Sequence, residues 1–126
     1  MDDFKTYELT EEDVKDYVSL HGTVNPLDIT EEGRIHLLMT GVMVNDIEVV
    51  RSCLDNNVDS SNPKLLENSA YYGYYEIVKL LLENGADPTH AGCWPLKISQ
   101  IRGHYKTHNL IKQYLRRYKL NQLIKK

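Results

Sequence analysis

The sequence is poor in the residues that build several specialised scaffolds. Its 126 residues include two cysteines, Cys53 and Cys93. That number excludes a disulfide framework or a four-thiolate metal site and points to a reduced, intracellular setting. No run reaches the roughly 18 apolar residues that a membrane span requires, so no membrane partner is expected. Met1-Asp2-Asp3-Phe4-Lys5 opens an acidic stretch rather than a secretory signal. There is no Gly-rich phosphate loop. One Phe and one Trp stand against nine Tyr. With 41% hydrophobic and 26% charged residues, the composition excludes a disordered or fibrous chain. The length fits one domain.

Acids are also missing from one end. Residues 97–126 carry nine bases and no acid, a charge of +9. Residues 1–32 carry ten acids and two bases, a charge of −8, and residues 33–96 carry eight acids and four bases, a charge of −4. This polarity steers a charged partner or draws molecules together end to end.

What is present reads as helix. Thr10, with Asp13 three residues on, forms a capping box, and Val14, Tyr17 and Val18 share one face of a helix over 10–20. His21-Gly22-Thr23-Val24-Asn25-Pro26 ends it. Thr30 caps a second helix, whose first turn holds Glu31 and Glu32 at the positive end of the dipole. Ile35, Leu38, Met39 and Val42 keep its period. Asn45-Asp46 marks a turn, because Asn tolerates the left-handed backbone of a helix end. Val49, Val50, Cys53 and Leu54 are the apolar positions of the helix that follows.

The unit then recurs. Residues 45–59 align with 73–87 at a constant offset of 28, with the apolar positions, the Glu and the final Asp in register. A third copy begins at Trp94-Pro95-Leu96, and its Gly103-His104 lies 30 residues after Gly73-Tyr74. Self-similarity near 30 residues marks a stacked-repeat protein.

Gly73-x-x-Glu76-Ile77-Val78-Lys79-Leu80-Leu81-Leu82-x-x-Gly85-Ala86-Asp87 resembles the second helix and loop of an ankyrin repeat. Trp94-Pro95-Leu96-Lys97 and Gly103-His104 resemble the start and the inter-helix turn of the next one. The resemblance covers about residues 34–116. It implies an all-α fold, a helical solenoid of about three short repeats (34–62, 63–92 and 93–116). An acidic helical cap over 1–33 and a basic helical extension over 117–126 would shield the ends. The family's Thr-Pro-Leu-His tetrapeptide is replaced by His36-Leu37-Leu38-Met39, Lys64-Leu65-Leu66-Glu67 and Trp94-Pro95-Leu96-Lys97. The hydrogen bonds that its Thr and His make between repeats must therefore be lost or replaced. Matching Leu110, Ile111, Tyr114 and Leu115 to Ile77, Val78, Leu81 and Leu82 requires a three-residue insertion behind Gly103. The loops at 60–63 and 89–92 are trimmed.

The resemblance further implies that the two residues before each turn line the concave face. These are Met43-Val44, Tyr71-Tyr72 and Ile101-Arg102, a stripe of large groups. Tyr gives area and a hydroxyl at low entropic cost, and an exposed apolar patch marks a partner site. Tyr74 and Trp94 join the expected contact, although Tyr74 and Tyr75 can equally serve packing. The basic tail with Lys112, Arg116, Arg117 and Lys119 is a candidate contact for an acidic partner, for nucleic acid or for a membrane surface. The bland alternative is a solvated capping helix.

No catalytic constellation emerges, so no enzyme is expected. Cys53 stands where the next copy has Leu81 and reads as a buried apolar residue; nothing activates Cys93, read as a loop residue. His104 and His108 stand four residues apart, a spacing that can hold a metal on a helix. No third ligand accompanies them, so neither metal nor cofactor is expected. His21, His36 and His90 are scattered. Glu11, Glu12 and Asp13 are the charges of a helix N-terminus. The expected function is non-catalytic binding of another protein, as inhibitor or adaptor, in the cytoplasm. Small ankyrin proteins of viruses, phages and intracellular bacteria are similar, which implies a host-directed role in the host cytoplasm. The alternative is a nucleic-acid-associated protein that uses its basic C-terminal helix.

Overall fold

The computed structural model describes residues 30–125. The expected helix over 10–20 and most of the acidic cap lie outside the described residues. Six helices and no strand occur among those described: α1 (Glu31–Met43), α2 (Ile47–Asp55), α3 (Lys64–Tyr72), α4 (Tyr75–Glu83), α5 (His90–Ile101) and α6 (Tyr105–Ile124). The chain divides into two compact units, Met1–Ser60 and Ser61–Lys126.

In the first unit α1 packs on α2. Thr30 caps α1 by accepting from the Gly33 N–H at 3.1 Å, which satisfies one of the donors a helix start leaves free. Asn45 takes the left-handed turn at φ 60°, and Asp46 caps α2 by accepting from the Val49 N–H at 3.2 Å. Leu38, Val42, Val50 and Cys53 are fully buried between the two helices.

The second unit repeats this hairpin twice. Within it α3 packs on α4 and α5, and α6 packs on α4 and α5. The 28-residue register holds at atomic detail. The Asp46 N–H donates to Gly41 O at 2.8 Å and the Tyr74 N–H to Ser69 O at 2.9 Å. At the far ends, the Val58 N–H donates to Cys53 O and the Ala86 N–H to Leu81 O, both at 3.0 Å. Asn56 and Asn84 each cap their helix by donating from Nδ2 to the carbonyl four residues back, at 2.8 Å. Asn57 and Gly85 then turn left-handed, at φ 60° and 94°. Asn serves in the first copy where Gly serves in the second because both tolerate that conformation.

The third copy departs from expectation. No insertion follows Gly103: α6 starts two residues after Gly103, as α4 starts two residues after Gly73. The His104 N–H donates to Ser99 O at 2.8 Å, which repeats the same turn bond. Thr107 therefore takes the place of Ile77 and is buried, and Ile111 takes the place of Leu81. Apolar matching failed because Thr107, a polar residue in the sequence, occupies a buried core position.

α5 opens unusually. Ala91, Gly92 and Cys93 are left-handed, with φ of 54°, 67° and 64°. Regular helix starts at Trp94, so Pro95 falls in its first turn, where a missing N–H costs nothing. Cys93 thus lies before the helix proper and is half-buried.

Cys53 is 0% exposed, and burial pushes its thiol up from 9.0 to about 11. In native protein a thiol reagent is expected to label Cys93 and to reach Cys53 only after unfolding, countable by mass spectrometry. The unfolded chain releases the Cys53 proton near pH 9 and the folded chain holds it to about 11. The unfolded state therefore binds fewer protons in that window, and this stabilisation, complete below pH 9, falls as pH rises toward 11. Cys53→Ser should flatten that part of the pH–stability curve measured by urea unfolding.

Candidate functional site

The tyrosine cluster sits where α3 ends and α4 begins. Gly73 terminates α3 at φ 73°. That turn brings Tyr71, Tyr72 and Tyr74 together: Tyr71 meets Tyr72 edge-on with ring centroids 5.0 Å apart, and Tyr72 stacks on Tyr74 at 5.4 Å with planes 18° apart. Tyr71 and Tyr72 are 37% and 47% exposed, whereas Tyr74 and Tyr75 are half-buried. Partial burial, with the nearby Tyr72 phenol second, raises the Tyr74 hydroxyl above its usual range. Aromatic pairs in such geometries hold one another with about 0.5–1.5 kcal/mol beyond their burial.

The neighbouring hairpin braces this cluster. The Arg102 guanidinium lies 4.4 Å from the Tyr71 ring centroid and the Lys106 ammonium 4.3 Å from that of Tyr75. Such contacts prefer the negative face of the ring. His104 Nε2–H donates to Tyr71 O at 3.0 Å. Ile101 and Tyr105 stand exposed. The result is a continuous aromatic, aliphatic and cationic surface at the inter-helix turns of the second unit.

The other expected contacts lie elsewhere. Met43 and Val44 are half-buried in the first unit. Trp94 is exposed, but it begins the regular part of α5. Seven residues, about 10 Å of helix, separate it from Ile101, so it does not join the tyrosine surface. Lys112, Arg116, Arg117 and Lys119 are exposed on α6, with Arg117 5.0 Å from the Tyr114 ring centroid.

The histidines are used structurally. His90, which carries no sequence signal, donates from Nδ1 to Glu67 Oε2 at 3.0 Å. That bond ties the start of α5 to a nearly buried carboxylate of α3, which Lys64 also approaches at 3.4 Å. Glu67 was legible only as the last residue of a substituted tetrapeptide. His108 donates from Nδ1 to Leu96 O at 3.0 Å. His104 and His108 therefore spend one ring nitrogen each on different carbonyls. No group of three or more potential metal ligands occurs among the described residues. The inter-repeat bonds that the missing tetrapeptide would supply are thus replaced by His104–Tyr71 and His90–Glu67. An open pocket of about 280 Å³ in the first unit is lined by Glu31, Arg34, Asn56, Asn57, Val58 and Asp59, with no Ser, Thr, Cys, His or Lys among them.

Residues 68–93 match the family model of the ankyrin repeat, a span from within α3 to the left-handed turn that opens α5. The match supports an ankyrin repeat within this chain, which is all-helical in its described part. No curated protein and no solved structure matches it. Ankyrin repeats are protein–protein interaction modules, and no helix among the described residues is long and apolar enough to cross a membrane.

Proposed function

We propose that this chain binds another protein through the turn surface of its repeats and acts without catalysis, as an inhibitor or adaptor of that partner. The observation that carries this reading is the exposed Tyr71–Tyr72 pair, fixed from one side by Tyr74 and from the other by Arg102. Rings held in place before contact lose little entropy on binding. Ile101 and Arg102 extend the contact, and Met43 and Val44 take the corresponding role in the first copy. Short, divergent repeats of this kind favour partner occlusion in a host cytoplasm by a viral, phage or bacterial product.

Tyr71→Ala with Tyr72→Ala is expected to lower affinity for the captured partner by 100-fold or more, as central aromatic anchors do. The circular-dichroism spectrum should stay native, since both rings are exposed. The partner lists recovered by affinity purification from the native host, wild type against double mutant, provide the measurement. Identical lists would refute the turn surface as the binding face.

A further inference from the structure

α6 carries a second apolar stripe that the other described residues leave exposed. α6 buries Thr107, Leu110, Ile111 and Leu115, and none of the described residues beyond Leu115 is buried. The tail expected to shield the third repeat contributes Leu115 to the core and is half-buried or exposed from 116 to 125. The helix runs on to Ile124, about 13 Å past its last buried residue. Leu120, Leu123 and Ile124 are 56%, 66% and 72% exposed. Their spacing of three and four residues puts them on one face, and the helical period sets that face roughly opposite the buried one. Arg116 begins the stripe, and Lys112, Lys119 and Arg117 flank it. No acid occurs in residues 97–126 to neutralise them.

We propose that this outward face of α6 adsorbs to an anionic lipid surface. The aliphatic groups enter the headgroup–acyl boundary while the flanking Lys and Arg reach lipid phosphates and carboxylates. Three side chains fall far short of the 20–30 residues a side of a stable protein interface, and pairing with a second copy would set like charges together. A lipid surface needs no matching shape, and each nearby cation strengthens adsorption about fivefold. Nucleic acid would use the same cations but gains nothing from exposed Leu and Ile, since it rewards stacking rings.

The test is co-sedimentation of the full chain with sucrose-loaded phosphatidylcholine vesicles, with and without about 30% phosphatidylserine. Binding is expected only to the anionic vesicles, falling more than tenfold between about 50 and 500 mM salt. Leu120→Gln, Leu123→Gln and Ile124→Gln together should weaken it about tenfold or more, and Arg116→Gln with Arg117→Gln about twentyfold. Both variants should keep native circular dichroism. Equal binding to neutral vesicles overturns the proposal. So does wild-type binding by the Gln triple variant, or a wild-type dimer that this variant abolishes without any vesicle binding. Binding to duplex or single-stranded DNA without binding to vesicles assigns the cations to nucleic acid instead.

Discussion

Gly73→Ala is expected to lower the unfolding temperature by roughly 10–20 °C, about 4–8 °C more than the same change at Gly103. Both glycines terminate a first helix in the left-handed region, with φ of 73° and 79°. An L-residue there costs about 1–2 kcal/mol. At Gly103 that is the whole cost, because nothing lies within 4 Å of the added Cβ. At Gly73 the Cβ would stand 2.5 Å from His104 Nδ1 and 2.6 Å from Cγ, so the imidazole must move. Moving it breaks the bond to Tyr71 O, worth about 1 kcal/mol, and loosens the ring that braces the tyrosine surface. The sum is about 2–3 kcal/mol, and each kcal/mol is worth roughly 4–8 °C in a unit of this size. Thermal melts of the two variants give the comparison. Repeating Gly73→Ala in a His104→Ala background closes a double-mutant cycle, in which the extra cost should vanish. Equal costs at the two glycines would show that the imidazole does not constrain this turn.

The same turn explains what a reader of the sequence can and cannot see. The register of the first two copies was legible because local chemistry fixes it. Asn45 and Asn57 hold the left-handed positions that Gly73 and Gly85 hold 28 residues later, and Asn56 and Asn84 repeat one cap. Thr30 and Asp46 announce their helices by residue type alone. The candidate surface was legible in part, since Tyr71, Tyr72, Ile101 and Arg102 are drawn together by the repeat. Trp94 stands two turns of α5 from Ile101, because position within a copy, not bulk, decides which end of a helix a ring reaches. His90 gave no warning, since its partner Glu67 lies 23 residues away and only stacking of α5 on α3 brings them together. Thr107 misled because burial is decided by the site a helix offers, and here a polar residue occupies it. The extension over 117–126 read only as a shield for the last repeat, with no face assigned to Leu120, Leu123 and Ile124. Two apolar stripes on one helix differ only in phase, and phase is fixed by the packing of its first half.

Leu81→Ala is expected to cost about 2–5 kcal/mol, the largest loss from any single core truncation proposed for this chain. Leu81 is 1% exposed and lies on α4, which packs on both α3 and α6. Its truncation opens a void in the core of the second unit. The void costs twice over, through lost transfer energy and through contacts that cannot re-form in a close-packed interior. In stacked repeats a repeat's stability depends on its interfaces with its neighbours, so loosening α4 also weakens the hold on α6. A domain with about 5–15 kcal/mol in total would lose a large share, visible as a lower urea midpoint at unchanged slope. The position-matched Cys53→Ala offers the control. Cys53 is equally buried but gives up a single sulfur, so its cost should be nearer 1 kcal/mol. If the two truncations cost the same, side-chain volume at this repeat position does not set the strength of the seam, and the stacking of α4 on α6 must be held by the backbone turns and the histidine bonds instead.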